Sequence, residues 1–302
     1  MYRSLTFAVT SFAFIACAHA QGATQDFSCI ERGHYLTTLS DCAGCHTTAG
    51  GKPFAGGVAL QTPFGTLIAP NITPDTDTGI GNWSDDEFVS ALQDGRGRNG
   101  TRLYPAMPYT AYTKMSRDDI LAIRAYLNTV TPVHNRVNAN QLPFPFNIRL
   151  AMMVWNWLNF TPGRFVADPH QSAEWNRGAY LVQGPGHCGA CHTPKTALGG
   201  DKTGAPLTGA TLQGWFAPNI TANKHNGIGR WSKDDLVHYL KTGANNDTLA
   251  SGPMAEAVTH STSQMKDADV AAIATYLLGT GQGGTDRPTP IAADNPTMKV
   301  GA

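Results

Sequence analysis

Two short stretches concentrate reactive side chains in this 302-residue chain: Cys42-Ala43-Gly44-Cys45-His46 and Cys188-Gly189-Ala190-Cys191-His192. Each sets two thiols three positions apart, with an imidazole directly after the second. A Cys-x-x-Cys pair alone would serve a redox dithiol or half of a zinc site. The histidine adds a third option, because Cys-x-x-Cys-His is the attachment pattern of a c-type haem. The sulfurs add to the two vinyl groups of one porphyrin, and the histidine lies under the iron as its proximal ligand. Two copies, each inside a longer repeat, point to two covalently bound haem c groups. Cys42, Cys45, Cys188 and Cys191 would attach them, with His46 and His192 on the irons.

Such an iron needs a sixth ligand or an open site. Electron transfer favours a filled site, and a thioether favours Fe(II) and raises the potential. Two methionine pairs are matched by the repeat, Met107 with Met254 and Met115 with Met265. The first pair lies in irregular text, Pro105-Ala106-Met107-Pro108 and Gly252-Pro253-Met254, 61 and 62 residues after His46 and His192. A proline-braced loop of that kind can be drawn across a haem face, so Met107 and Met254 are expected as ligands. Met115 and Met265 stand where the last helix of each copy begins and read as core, the commoner use of methionine. Trp83 and Trp231 have two readings, core packing or an indole N–H toward a haem propionate. Asn71 and Asn219 are placed to fix a haem-edge loop by side-chain-to-backbone bonds. His34, His134, His170, His187, His225, His238 and His260 have no motif and read as surface or structural.

The elements that must position these groups come as one unit used twice, at an offset of roughly 146 to 150 residues, far longer than a solenoid period. Each copy opens on Arg-Gly-x-Tyr-Leu, from Arg32 and again from Arg177. Ala69-Pro70-Asn71-Ile72-Thr73 is matched by Ala217-Pro218-Asn219-Ile220-Thr221, and Gly79-Ile80-Gly81 ahead of Trp83 by Gly227-Ile228-Gly229 ahead of Trp231. Ser84 with Glu87, and Ser232 with Asp235, predict helix starts built as capping boxes. Phe88, Val89 and Leu92 then share one stripe, as do Leu236, Val237 and Leu240, and Gly95 and Gly243 mark the stops. The last helices are expected from Ser116 and from near Lys266. No sustained alternation argues for a sheet. The fold class read from this is all-α, with domains at 27–131 and 173–280. A porphyrin would supply an apolar body to small domains that make only modest cores alone.

Residues 132–172 read as a linker, since Leu142-Pro143-Phe144-Pro145-Phe146 excludes a long helix. The apolar run from Leu150 to Phe160 fits either a seam between the domains or a surface for a partner or membrane. Residues 1–20 read as a secretory signal with Arg3, an apolar core and Ala18-His19-Ala20; a lipoprotein reading through Cys17 is the alternative. The core is too short to span a membrane. Residues 281–302 read as a flexible tail. The 22 basic and 22 acidic residues give a formal charge of +0, or −1 once Arg3 is removed with the signal, and this excludes a polycationic nucleic-acid surface. Cys29, left over after cleavage, reads as a buried residue at a helix start, with an intermolecular disulfide or a displacing haem ligand as alternatives.

The chain resembles the cytochrome c subunit of bacterial membrane-bound alcohol, aldehyde and gluconate dehydrogenases. The residues that carry the likeness are Asp41-Cys42-Ala43-Gly44-Cys45-His46-Thr47, Pro70-Asn71-Ile72-Thr73-Pro74-Asp75, Pro105-Ala106-Met107-Pro108-Tyr109 and Trp175-Asn176-Arg177-Gly178-Ala179-Tyr180-Leu181. The resemblance implies two class I cytochrome c-like domains with His46/Met107 and His192/Met254 as axial pairs. It implies a periplasmic carrier taking electrons from a dehydrogenase to a terminal oxidase, quinone-linked complex or small cytochrome. Members of that family commonly carry three haem units and a C-terminal membrane-binding segment. This chain has two units and a short polar tail, so quinone reduction and membrane attachment, which the resemblance would otherwise imply, stay open. The rival reading is a redox enzyme, a diheme peroxidase or thiosulfate-oxidising cytochrome, which needs a labile sixth site. No Ser/His/Asp set, carboxylate pair or phosphate loop supports other catalysis.

Overall fold

The computed structural model describes residues 27–280. The expected signal, with Cys17, and the expected tail lie outside them. The first half runs α1 (Phe27–Leu39), α2 (Cys42–His46), β1 (Ala59–Thr62), β2 (Gly65–Ile68), α3 (Asp85–Asp94), α4 (Tyr109–Tyr112) and α5 (Arg117–Leu127). The segment that follows carries α6 (Met152–Asn159). The second half repeats the series as α7 (Ala173–Gln183), α8 (Gly189–His192), β3 (Ala210–Leu212), β4 (Trp215–Ala217), α9 (Lys233–Thr242), α10 (Pro253–His260) and α11 (Asp267–Gly279). No described helix is long and apolar enough to cross a membrane.

Local chemistry sets the helix limits. Ser84 accepts the Glu87 N–H while Glu87 returns a bond to the Ser84 N–H, and Ser232 with Asp235 does the same. Both helices stop on a left-handed glycine, Gly95 at φ 64° and Gly243 at φ 79°, a backbone that costs a residue without a Cβ little. Ser116 caps α5 through the Asp119 N–H.

Each half has its own core, formed where its first long helix crosses its last. Leu36, Phe88, Leu92, Met115, Ile120, Ile123 and Leu127 fill the first, and Leu181, Leu236, Leu240, Met265, Val270, Ile273 and Leu277 the second. The crossings depend on one glycine each. A Cβ on Gly33 would lie 1.8 Å from the Ala122 carbonyl oxygen, and one on Gly178 would lie 1.9 Å from that of Ala272. Cys29 is buried at the start of α1, in the first core.

The chain is mostly helical, but each half also holds a short antiparallel hairpin that alternation did not predict. β1 pairs with β2 from Ala59 opposite Ile68 to Thr62 opposite Gly65, and β3 with β4 from Ala210 opposite Ala217 to Leu212 opposite Trp215. The second turns through Gln213 at φ 51° and Gly214 at φ 80°, two positive φ values that match the twist of the strands.

Residues 132–172 are strapped to the body at several points. Gln141 exchanges backbone bonds with Thr66 on β2 at 2.8 and 3.0 Å, and Asn135 donates to the Ala55 carbonyl at 2.7 Å. α6 divides the two readings of its apolar run by face. Trp155 is 8% exposed and its indole N–H donates to Leu198 O in the second half at 2.7 Å, while Asn156 accepts from Tyr109 of the first half at 2.7 Å. The rest of the run, with Leu150, Met153, Val154, Leu158 and an 82% exposed Trp157, is turned to solvent.

Candidate haem-attachment sites

The two Cys-x-x-Cys-His stretches fold as short helices, α2 and α8, entered through a left-handed residue: Asp41 at φ 46° and His187 at φ 36°. These unlike residues thus occupy one backbone position. The turn that follows is also the same in both halves. Thr47 Oγ1 accepts the Phe54 N–H at 3.0 Å, and Thr193 Oγ1 accepts the Leu207 N–H at 3.0 Å. The His46 and His192 carbonyls accept from Gly56 and Gly209, each at 2.7 Å. A hairpin then returns the chain beneath each histidine ring.

There the ring meets a backbone carbonyl. His46 Nδ1 lies 2.7 Å from Pro70 O, and His192 Nδ1 lies 2.7 Å from Pro218 O. A carbonyl oxygen only accepts, so Nδ1 carries the proton and Nε2 keeps its lone pair, the arrangement of a metal-ligating imidazole. Burial lowers the pKa of both histidines, only partly opposed by the carbonyl bond. The next residue holds each carbonyl in place. Asn71 Oδ1 accepts from the Thr73 N–H at 2.9 Å and from its hydroxyl at 2.8 Å, and Asn219 Oδ1 accepts both from Thr221 at 2.8 Å. Asn71 Nδ2 also donates to Val133 O at 2.7 Å. The loop-fixing role expected of the two asparagines is what these bonds perform.

The thiols do not suit a redox dithiol, whose nucleophile needs a lowered pKa. Burial pushes Cys42 and Cys188 up to about 12 and Cys45 up to about 11, and it raises Cys191. Nor do the described residues contain a group of three or more Cys, His, Asp or Glu that could hold a metal ion, as a zinc site would require. Around each motif stands a matched set of partly buried apolar groups. Cys42, Ile72, Trp83 and Met107 flank the first core, and Cys188, Ile220, Trp231 and Met254 the second. Two sulfurs, an imidazole with a free Nε2 and an apolar rim suit a covalently attached porphyrin.

The methionines part as their positions suggested in burial but not wholly in backbone. Met115 and Met265 are 0% and 4% exposed inside the two cores. Met107 sits in a turn just before α4, as the proline-braced text implied. Met254 instead lies in the first turn of α10, whose Pro253 occupies an N-terminal position that needs no amide donor. His187, read as surface or structural, is half-buried, with its Nε2 3.2 Å from Ser40 O. The Pro70 and Pro218 carbonyls have no residue-type signature in the sequence; their one signal is the exact repetition of the Ala-Pro-Asn-Ile-Thr text.

Comparison with known proteins gives the family of the chain. The sequence pattern of the family described as cytochrome c matches residues 30–131 and 176–281, once over each half. The chain is 46% identical over 254 residues to a nicotinate dehydrogenase subunit of Pseudomonas putida, covering 82% of this chain and 21% of that one. It is 45% identical over 251 residues to the fructose dehydrogenase cytochrome subunit of Gluconobacter japonicus, covering 82% and 52%. A diheme cytochrome c-type of Cereibacter sphaeroides is 37% identical over 253 residues, covering 82% and 84%. The chain thus spans about half the length of the fructose dehydrogenase subunit and about a fifth of the nicotinate one. With both halves matched and both attachment motifs inside the matched residues, the chain belongs to the cytochrome c family.

Proposed function

We propose that this protein is a two-haem electron carrier that takes electrons from a dehydrogenase partner and passes them singly to the respiratory chain. Residues 27–131 and 173–280 are the two haem units, joined by 132–172. Cys42 with Cys45, and Cys188 with Cys191, attach the haems; His46 and His192 are the proximal ligands, and Met107 and Met254 the sixth. The observation that carries this reading is the repeated 2.7 Å contact of each histidine Nδ1 with a proline carbonyl, which fixes the tautomer and orients Nε2 in both halves. Bound haem supplies a one-electron Fe(II)/Fe(III) couple. The chain's part is to hold that couple still: Asn71 and Asn219 fix the carbonyls, the carbonyls fix the rings, and the partly buried apolar rim limits water.

The dehydrogenase donor is supported by the relatives' names, which include cytochrome subunits of fructose and gluconate dehydrogenases. The acceptor in this reading is a terminal oxidase, a quinone-linked complex or a small cytochrome. The location in this reading is the periplasm, which agrees with attachment of c-type haem outside the cytoplasm. The test is a carbon monoxide difference spectrum of the dithionite-reduced holoprotein, with haem counted per chain. Two haems and no CO binding are expected. Binding at either haem would remove a methionine from its iron and bring a redox enzyme to the front.

A further inference from the structure

The Arg-Gly-x-Tyr repeat works both within a unit and between units. Within, Arg32 Nε donates to Asp119 Oδ1 at 2.6 Å, and Arg177 Nε and Nη2 donate to Asp269 Oδ1 and Oδ2 at 2.8 Å each. Between, the tyrosines cross over. The Tyr35 hydroxyl of the first unit donates to Asp269 Oδ2 of the second at 2.6 Å, and the Tyr180 hydroxyl of the second donates to Asp119 Oδ2 of the first. Each tyrosine oxygen also accepts from the backbone where the other unit's last helix begins, Tyr35 from Lys266 N at 3.3 Å and Tyr180 from Ser116 N at 3.4 Å. This is the reciprocal pattern of a twofold interface, built inside one chain.

The two partners of each aspartate are not interchangeable. Asp119 and Asp269 are 2% and 8% exposed, and a carboxylate so buried is costly unless paired and fully hydrogen-bonded. The arginine of the same unit supplies the charge, and the tyrosine donor comes only from the other unit. Both tyrosines stay protonated, because burial and then the aspartates push them well above their ordinary range. The same seam holds the attachment turns together. His187, directly before Cys188, contacts the carbonyl of Ser40, two residues before Cys42, at 3.2 Å. Ser261, which ends α10, donates to Leu39 O at 2.8 Å, and α10 itself packs against α2.

We propose that Tyr35 and Tyr180 are positioning residues for electron transfer, clamping the two units so that their haem-attachment turns share one seam and an electron passes from haem to haem within a single molecule. The step moves one electron: one iron is oxidised as the other is reduced, and no proton moves. The proposal rests on the two-haem reading above and adds to it a fixed internal route.

The experiment uses full-length holoprotein and the Tyr35→Phe/Tyr180→Phe variant, which keeps the rings and removes the hydroxyls. A substoichiometric pulse of reductant is followed by the redistribution of electrons between the haems over a range of protein concentrations. The native protein should show a concentration-independent phase. The double variant should slow it by roughly tenfold or more, since a hydrogen bond to a charged group contributes about that factor to the docking equilibrium. Haem content and ligand-sensitive spectra should not change, and the single variants should fall between. No concentration-independent phase in the native protein, or an unaltered rate in the double variant, would overturn the clamp. If the double variant loses haem, native rates in both single variants would overturn it equally. Failure of the carrier reading looks different: CO binding, or fewer than two haems per chain.

Discussion

At the scale of single residues, identical chemistry in the two halves is reached through unlike side chains. Asp41 and His187 precede their motifs at φ 46° and 36°, and each meets the strain of a left-handed non-glycine residue differently. Asp41 caps α2, its Oδ1 accepting the Gly44 N–H at 3.3 Å, whereas His187 reaches across the seam. Capping has an electrostatic cost. Burial raises the Asp41 carboxyl from 3.8 to about 6, against the pull of His260 and the Gly44 N–H and with a further push from Glu256. A carboxyl whose folded pKa is raised binds its proton more tightly when folded. Its contribution is therefore full below about pH 4 and is lost as pH rises through about 6. Asn caps as well as Asp and tolerates the left-handed region. Asp41→Asn in the holoprotein should gain about 1–2 kcal/mol at pH 7 and almost nothing at pH 4. Denaturant melts across that range check it, and a gain independent of pH would mean that the carboxyl is not the cause. The cysteines and histidines of the candidate site stand out in the text because the repeated Cys-x-x-Cys-His pattern marks them by type and spacing. The Pro70 and Pro218 carbonyls do not, since any residue supplies a carbonyl and only the fold decides which one lies beneath the ring.

At the scale of elements, helices announced themselves and strands did not. The capping boxes at Ser84 and Ser232 and the glycine stops at Gly95 and Gly243 are side-chain chemistry written along the chain. The hairpins are three- or four-residue strands held by loop contacts and the histidine carbonyls, too short for a period of two to stand out. The repeated glycine of Arg-Gly-x-Tyr was visible as text, but its reason emerges only where the helices cross. Gly33 lets α1 lie against the backbone of α5, and Gly178 lets α7 lie against that of α11. The obstructing atom in both cases is a carbonyl oxygen within 2 Å of a would-be Cβ, and no rotamer change can clear it. Gly33→Ala and Gly178→Ala should each destabilise their half by roughly 3 kcal/mol, the upper range for overpacking a filled core. Thermal unfolding followed at the haem band of each half would show it. A loss below about 0.5 kcal/mol, typical of an open surface site, would mean that the crossing can open without penalty.

At the scale of the whole molecule, residues 132–172 behave as a strap rather than a spacer. Proline-rich text and an apolar run suggested a linker with a seam or a docking surface at its end, and α6 presents both faces at once. The inner face touches both halves through Trp155 and Asn156, while the outer face carries the exposed Trp157 and its apolar neighbours. Sequence periodicity could not assign these faces, because a tryptophan stands on each and Leu158, one turn on from the buried Trp155, is exposed. Hydrogen bonding separates them: Trp155 gives its indole proton to Leu198 O, and its ring meets Tyr109 edge-on with centroids 6.4 Å apart. Removing that ring should leave a cavity and an unpaired carbonyl at the junction of the halves. Trp155→Ala is expected to cost about 3–5 kcal/mol, and Trp157→Ala less than about 0.5 kcal/mol, in chemical unfolding of the holoprotein. If the strap joins the two cores, Trp155→Ala should also separate their unfolding into two transitions, one at each haem, while Trp157→Ala keeps the native profile. Similar small losses in both variants would mean that α6 rests on the body without coupling its halves, leaving the tyrosine–aspartate contacts as the main tie between the units.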